Sequence, residues 1–161
     1  MATIYTDIGN DQLPPTQADT WNRNAGETET GNLLVIDAQR TIASDATGDV
    51  LRLAKVKANY RLIPHLCKII AENPGTAYNI AKIGTKKVDS TGAATDDDDK
   101  YSTAVDISAG GAFDLAYAAQ AGAIDGSTET EDMWLEATLG TVTTPTAGKT
   151  IRFVLVFAAA V

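Results

Sequence analysis

Apolar and polar residues alternate with a period of two through much of this chain beyond residue 31, the signature of half-buried strands. The strongest pattern lies at residues 133–161. Two strand-like runs, 133–140 and 151–161, flank a segment rich in Thr, Pro and Gly, which predicts a β-hairpin. In the second run Ile151, Phe153, Leu155, Phe157 and Ala159 share one face, and Arg152, Val154, Val156 and Ala158 the other. Beyond Arg152 both faces are apolar, so the strand is expected to be covered on both sides. Either it is a central strand of a sandwich, or its outer face, with Val154 and Val156, meets another subunit. A terminal run this apolar is expected to be tied down.

Earlier in the chain, residues 32–37 and 40–43 read as short strands and 45–49 as a turn. Residues 50–57 make a longer strand. Residues 60–71 are ambiguous by period, but their β-branched residues and Pro64 favour a strand over a helix. A turn at Asn73, Pro74 and Gly75 precedes a strand over 76–84. Residues 85–100 read as a polar loop ending in four aspartates, Asp96 to Asp99, and Lys100. A short strand follows over 101–107, and 113–121, bracketed by glycines, is where a helix of about two turns is expected. Residues 1–31 have no sustained period and carry Pro14 and Pro15. They read as an extended arm laid along another surface, with apolar anchors Ile4, Tyr5 and Trp21, or else as a tail without fixed structure. The expected organisation is an arm over 1–31 and one all-β domain, an antiparallel sandwich or barrel, over 32–161.

A length of 161 residues suits one domain with a real core. The net charge of −8 argues against a nucleic-acid partner, which needs a basic footprint. No apolar run reaches the roughly 18 residues that span a bilayer, so no membrane is expected. The N-terminus has neither a basic nor an apolar leader region, so no signal peptide is expected. A single cysteine, Cys67, excludes an internal disulfide framework. The charge is unevenly spread: residues 52–87 hold eight of the thirteen basic groups against one acid, Glu72. Such patterning either steers the chain towards an acidic surface or reflects strands that collect lysines on exposed faces.

Candidate chemistry is sparse. His65 is the only histidine, and Cys67 would share its strand face, a weak nucleophile–base pair. The aspartates at 96–99 could offer oxygen ligands to calcium, but lack the interleaved spacing of an EF-hand loop. With Lys100 they also resemble the recognition sequence of enteropeptidase, a match with no other support in the chain. Glu129, Glu131, Asp132 and Glu136 could supply paired carboxylates for glycoside hydrolysis, with Trp134 and Tyr117 as sugar-stacking platforms. A solvated acidic face explains the same residues. No enzymatic activity and no cofactor are expected.

From about residue 31 a succession of motifs resembles a known group. GDVLRLAKV at 48–56 leads through RLIP at 61–64 to AYNIAKIG at 77–84; AVDIS at 104–108, WLEATLG at 134–140 and TAGKTIRF at 146–153 follow. Their order and spacing are similar to those of the decoration, or cement, proteins of tailed-bacteriophage heads. The resemblance implies a jelly-roll-like antiparallel β-sandwich with an extended N-terminal arm. It implies a non-enzymatic protein, made in the host cytoplasm, that sits on the virion surface, binds the major capsid protein and stabilises the capsid, often as a homotrimer. Residues 1–30 and 85–100 match nothing in the group. The alternative expectation is a carbohydrate-binding module of a virion spike or fibre.

Overall fold

The computed structural model describes residues 3–5, 27–30, 33–89, 91–117 and 128–159. Twelve strands stand among them, arranged in two facing sheets with the apolar side chains between: an all-β sandwich. The first sheet contains β1 (Thr3–Tyr5), β4 (Val50–Val56), β11 (Met133–Pro145), β7 (Gly75–Lys87) and β8 (Asp97–Ser102) in that order, with β9 (Val105–Asp106) also on β7. The second runs β10 (Gly111–Phe113), β6 (Lys68–Ala71), β12 (Thr150–Ala159), β3 (Leu33–Thr41), β2 (Glu27–Thr30), with β5 (Tyr60–Leu62) also on β12. All pairings are antiparallel except β1 on β4.

The alternation in β12 translates directly into packing. Ile151, Phe153, Leu155 and Phe157 are fully buried on the inner face. They meet Leu51, Leu53, Tyr78, Ile80, Leu135 and Leu139 of the opposite sheet in one core. Burying each of these four is worth about 1.5–3 kcal/mol. The outer face begins in solvent at Arg152, is half-buried at Val154 and is buried at Val156.

Residues 133–161 do not form a hairpin. The long strands β11 and β12 lie in opposite sheets, and the turn between them carries the chain across the sandwich. Each already has both edges occupied, β11 by β4 and β7, β12 by β3 and by β5 and β6, so neither has room for the other. The crossing turn is held from outside: Thr146 N–H donates to Pro74 O and Gly148 N–H to Ile42 O.

Other local expectations shift for identifiable reasons. The run 60–71 breaks at Pro64 into β5, a single 3-10 turn at Pro64–Leu66, and β6. The expected helix is absent from its first residues: Phe113 ends β10, and 114–117 are not helical. Gly110 and Gly111, at φ +69° and +120°, turn the backbone so that β10 pairs with β6 and Phe113 packs against the core. Residues 118–121 lie outside the described residues. The polar loop over 85–100 is shorter than expected, because β7 runs on to Lys87 and β8 starts at Asp97. These strands approach closely at Gly84, where an added Cβ would lie 2.1 Å from Asp97 O.

Candidate interaction surfaces

Two buried carboxylates are held by charged and hydroxyl donors, one of them between the sheets. Asp45, in the loop after β3, is 4 % exposed; it accepts a hydrogen bond from the Tyr78 hydroxyl at 2.7 Å and one from Arg40 at 2.8 Å. Because Arg40 lies on one sheet and Tyr78 on the other, this contact clamps the layers. Glu129, 5 % exposed, accepts from the Tyr101 hydroxyl at 2.7 Å and from Lys100 at 2.8 Å. Burial, and then the neighbouring carboxylate, pushes both tyrosine hydroxyls well above their ordinary range. The two hydroxyls thus keep their protons and go on donating to the carboxylates.

The other acids of the expected hydrolytic group are committed as well. Glu131 accepts from the Ala93 N–H, Asp132 from the Ala58 N–H, and Glu136 from Arg52 at 2.5 and 2.8 Å. They serve loops and a neighbouring strand, not a shared cleft. His65 and Cys67 do not share a face either. His65 is exposed in the 3-10 turn, whereas Cys67 is fully buried beyond it. The Cys67 Sγ donates to Ile63 O at 3.3 Å and accepts the Val156 N–H at 3.3 Å. Desolvation pushes its pKa up to about 11, the opposite of an activated nucleophile.

The outer face of the sheet containing β4, β11, β7 and β8 is a ladder of cross-strand ion pairs. Lys86 pairs with Asp96 at 2.5 Å, Lys82 with Asp98, and Arg52 with Glu136. Of the basic run 52–87, Arg52, Lys82 and Lys86 are therefore answered within this sheet, by acids from β11, from β8 and from the residue before it, while Lys68 in the other sheet pairs with Asp114. Asp96 and Asp98 spend their carboxylates on lysines. Among the described residues no group of three or more His, Cys, Asp or Glu side chains is placed to hold a metal ion. Trp134 is 6 % exposed, with the Arg52 guanidinium and the Lys55 amine each 4.7 Å from its ring centroid. It is covered by cations, not open for stacking on a sugar. Tyr117 is half-buried against the core.

The interface residues named from the sequence fall in three places. Ile4 and Tyr5 belong to β1, which pairs in parallel with β4 at the edge of the first sheet, opposite Leu51 and Arg52. Trp21 lies outside the described residues. Val154 and Val156 lie on the outer face of the second sheet, where the connection over 63–67 interrupts the ladder: Ile63 N–H donates to Val156 O at 2.8 Å. On that same face Ile70 and Leu33 are each 37 % exposed and Leu66, in the 3-10 turn, 49 %. The sequence reading did not single these out. The adjacent Ile69 and Ile70 in one strand were the available signal, since only one of two neighbours can face the core.

No protein-family model and no curated protein sequence matches this chain. Among solved structures, a chain from the capsid of Ralstonia phage GP4 is similar, with a TM-score of 0.68 over 99 % of each chain at 16 % identity. The likeness extends end to end and is one of fold.

Proposed function

We propose that this chain is a non-enzymatic structural protein of a phage virion, which decorates the outside of the capsid and stabilises it as a homotrimer bound to the major capsid protein. The observation that carries this reading is the end-to-end match of fold to a phage capsid chain. The use of the carboxylates agrees with it, since Glu129, Glu131, Asp132 and Glu136 are each engaged in a structural contact. In this reading residues 1–31 act as the arm, with Ile4, Tyr5 and Trp21 at the capsid contact, and 32–161 as the sandwich whose face at Val154 and Val156 meets other copies. Many modest contacts repeated by symmetry oppose expansion of the shell without any single strong one.

The test is saturable binding of the purified chain to expanded capsids of the source phage, with capsid melting followed in its presence. Deleting residues 1–31 should abolish binding, and Trp21→Ala should weaken it. Because β1 and β2 belong to that segment, the truncated chain must first be shown folded by circular dichroism. A folded truncation that binds as well as the full chain refutes the arm contact. Full chain that neither binds nor stabilises capsids refutes the reading. The carbohydrate-binding alternative is disfavoured by the covered ring of Trp134.

A further inference from the structure

Strand β7 is bordered by β11 from Gly75 to Lys87 on one side but is thinly paired on the other. Against β8 it keeps register at Ile83, opposite Ser102, and at Thr85, opposite Asp97; between those positions β7 advances two residues and β8 five. Beyond Thr85, the Lys87 N–H donates to a side chain, the Asp96 carboxylate, at 2.8 Å, where a neighbouring strand would offer a carbonyl. Strand β8 is itself held unequally. Its second half is anchored in the core: Tyr101 and Ser102 are buried, and Lys100 and Tyr101 both donate to Glu129. Its first half, Asp97 to Asp99, is exposed. Apart from the register at Asp97, that half and the preceding Asp96 are tied to β7 by side chains, in the pairs Lys86–Asp96 and Lys82–Asp98. Exposed pairs of this kind contribute little and weaken in salt. Burial, and then Asp99 beside it, raise the Asp97 carboxyl above its usual range, as crowding of acids does. Next to these acids is a hollow of about 640 Å³ whose walls include Arg52, Lys82 and Lys86.

We propose that the edge of β7 over residues 83–87 is a docking site for an extended acidic segment of a partner protein, and that the chain's own Asp96–Asp99 segment covers this site until the partner displaces it. The present occupant gives the chemistry of the incoming one. A strand added to the edge supplies the carbonyl that the Lys87 N–H now lacks, and affinity of that kind is sequence-tolerant. Specificity comes from its side chains. Lys82 and Lys86 stand four residues apart on one face of β7, so they select carboxylates at alternate positions of the added strand. The hollow leaves room for those carboxylates while Glu136 keeps Arg52 engaged. The covering segment swings about Lys100, which Glu129 retains. At rest the lysines are answered, so the face draws no partner from a distance; selection occurs at contact, by displacement. The inference goes beyond the capsid role proposed above and does not depend on it.

A fluorescent octapeptide of alternating Asp and Val is the probe, titrated onto the full chain by anisotropy, with the site read by amide hydrogen exchange. The peptide should bind, slow exchange over 83–87 and quicken it over 96–99. Asp96→Asn with Asp98→Asn loosens the covering segment and should tighten binding by about tenfold, the order that two exposed ion pairs supply. Lys82→Gln with Lys86→Gln should abolish binding. Thermal melting checks that each variant is folded, and Lys86→Ala alone takes the place of the double lysine variant if that one is not. Failure of the peptide to bind either the full chain or the Asp96→Asn/Asp98→Asn variant at millimolar concentration overturns the inference. So does binding that survives loss of the lysines, or binding without protection over 83–87. An alternating Lys and Val peptide that binds as well would deny the selection of acids, and a single-stranded oligonucleotide of equal charge that binds as well would mark a plain polyanion site; either result overturns the inference. Capsids enter none of these readouts. A chain that takes the peptide and ignores capsids would refute the proposed function and leave this inference standing.

Discussion

Removing the Glu129 carboxylate should cost more stability than removing any ion pair of the outer ladder. Glu129 is 5 % exposed and takes two donors, the hydroxyl of fully buried Tyr101 and the amine of Lys100, whose side chain is 12 % exposed. In Glu129→Ala both donors lose their acceptor away from water, and breaking a buried pair from one side costs about 3–5 kcal/mol. Tyr101→Phe is milder. It removes one hydrogen bond to a charged acceptor, worth about 1.5–3 kcal/mol, while Lys100 still neutralises the carboxylate. The ring's edge-on contact with Phe157, at 5.8 Å between centroids, survives that change. Lys86→Ala breaks an exposed pair with Asp96 and should cost about 1 kcal/mol or less. Equilibrium urea denaturation of the three variants and the double variant Tyr101→Phe/Glu129→Ala measures these differences. A coupling of about 0.5–3 kcal/mol between the two positions is expected. If Glu129→Ala proves no more costly than Lys86→Ala, the cluster does not anchor the loop before β11 to β8 as its geometry implies.

Four further outcomes follow from the same contacts. Tyr78 and Tyr101 have folded-state pKa values raised above their unfolded ones, so their contribution is complete below about pH 10 and is lost as the unfolded chain ionises above it. Stability should fall by about 1.4 kcal/mol per pH unit for each tyrosine over that window, and Tyr101→Phe should remove about half of this slope in alkaline denaturation curves. The Cys67 thiol, buried and with its pKa near 11, should resist a disulfide-exchange reagent at pH 8 and react in full once the chain is unfolded in urea. Enteropeptidase should not cleave the native chain after Lys100, which is held in β8 by Glu129, but should cleave the unfolded chain; rapid native cleavage would contradict the pairing. Gly84→Ala places a methyl group against the β8 backbone, so it should destabilise the fold by more than the roughly 1 kcal/mol typical of point changes and speed amide exchange in β8 first.

The part of the fold legible in the sequence is the part written in side-chain alternation. Ile151, Phe153, Leu155 and Phe157 declare an inner face, and the apolar Val154 and Val156 behind them declare a central strand; β12 is both. Alternation says which way a side chain points and nothing about which strand lies alongside. The hairpin expected over 133–161 failed for that reason. Two adjacent apolar strands joined by a short turn fit a hairpin and a crossing between sheets equally well, and the choice is made by partners far away in sequence, such as Val50 opposite Thr138 and Asp37 opposite Val154. Proline gave a partial signal. Pro64 argued against a helix correctly, yet it could not tell that the strand would break and restart, with Cys67 taking the Val156 N–H that a ladder would otherwise have used.

Charge was misleading for a physical reason. Counted along the chain, residues 52–87 are basic and the four aspartates at 96–99 form an acidic block, which suggests a dipole with one end for a partner. Antiparallel pairing folds that sequence dipole onto itself. Because β7 and β8 run side by side in opposite directions, Lys82 and Lys86 come against Asp98 and Asp96, and β11 brings Glu136 to Arg52 from 84 residues away. The acidic block ceases to be a solvated loop as soon as lysines stand opposite it, which is why β8 can begin at Asp97. A long-range field that would draw a partner to this face is cancelled within one strand spacing, about 5 Å, well inside the roughly 8 Å over which salt leaves charges visible to one another. Recognition by net charge is then left to surfaces where the cancellation is incomplete, since the part of the basic run that β4 and β7 present at Arg52, Lys82 and Lys86 is answered across strands.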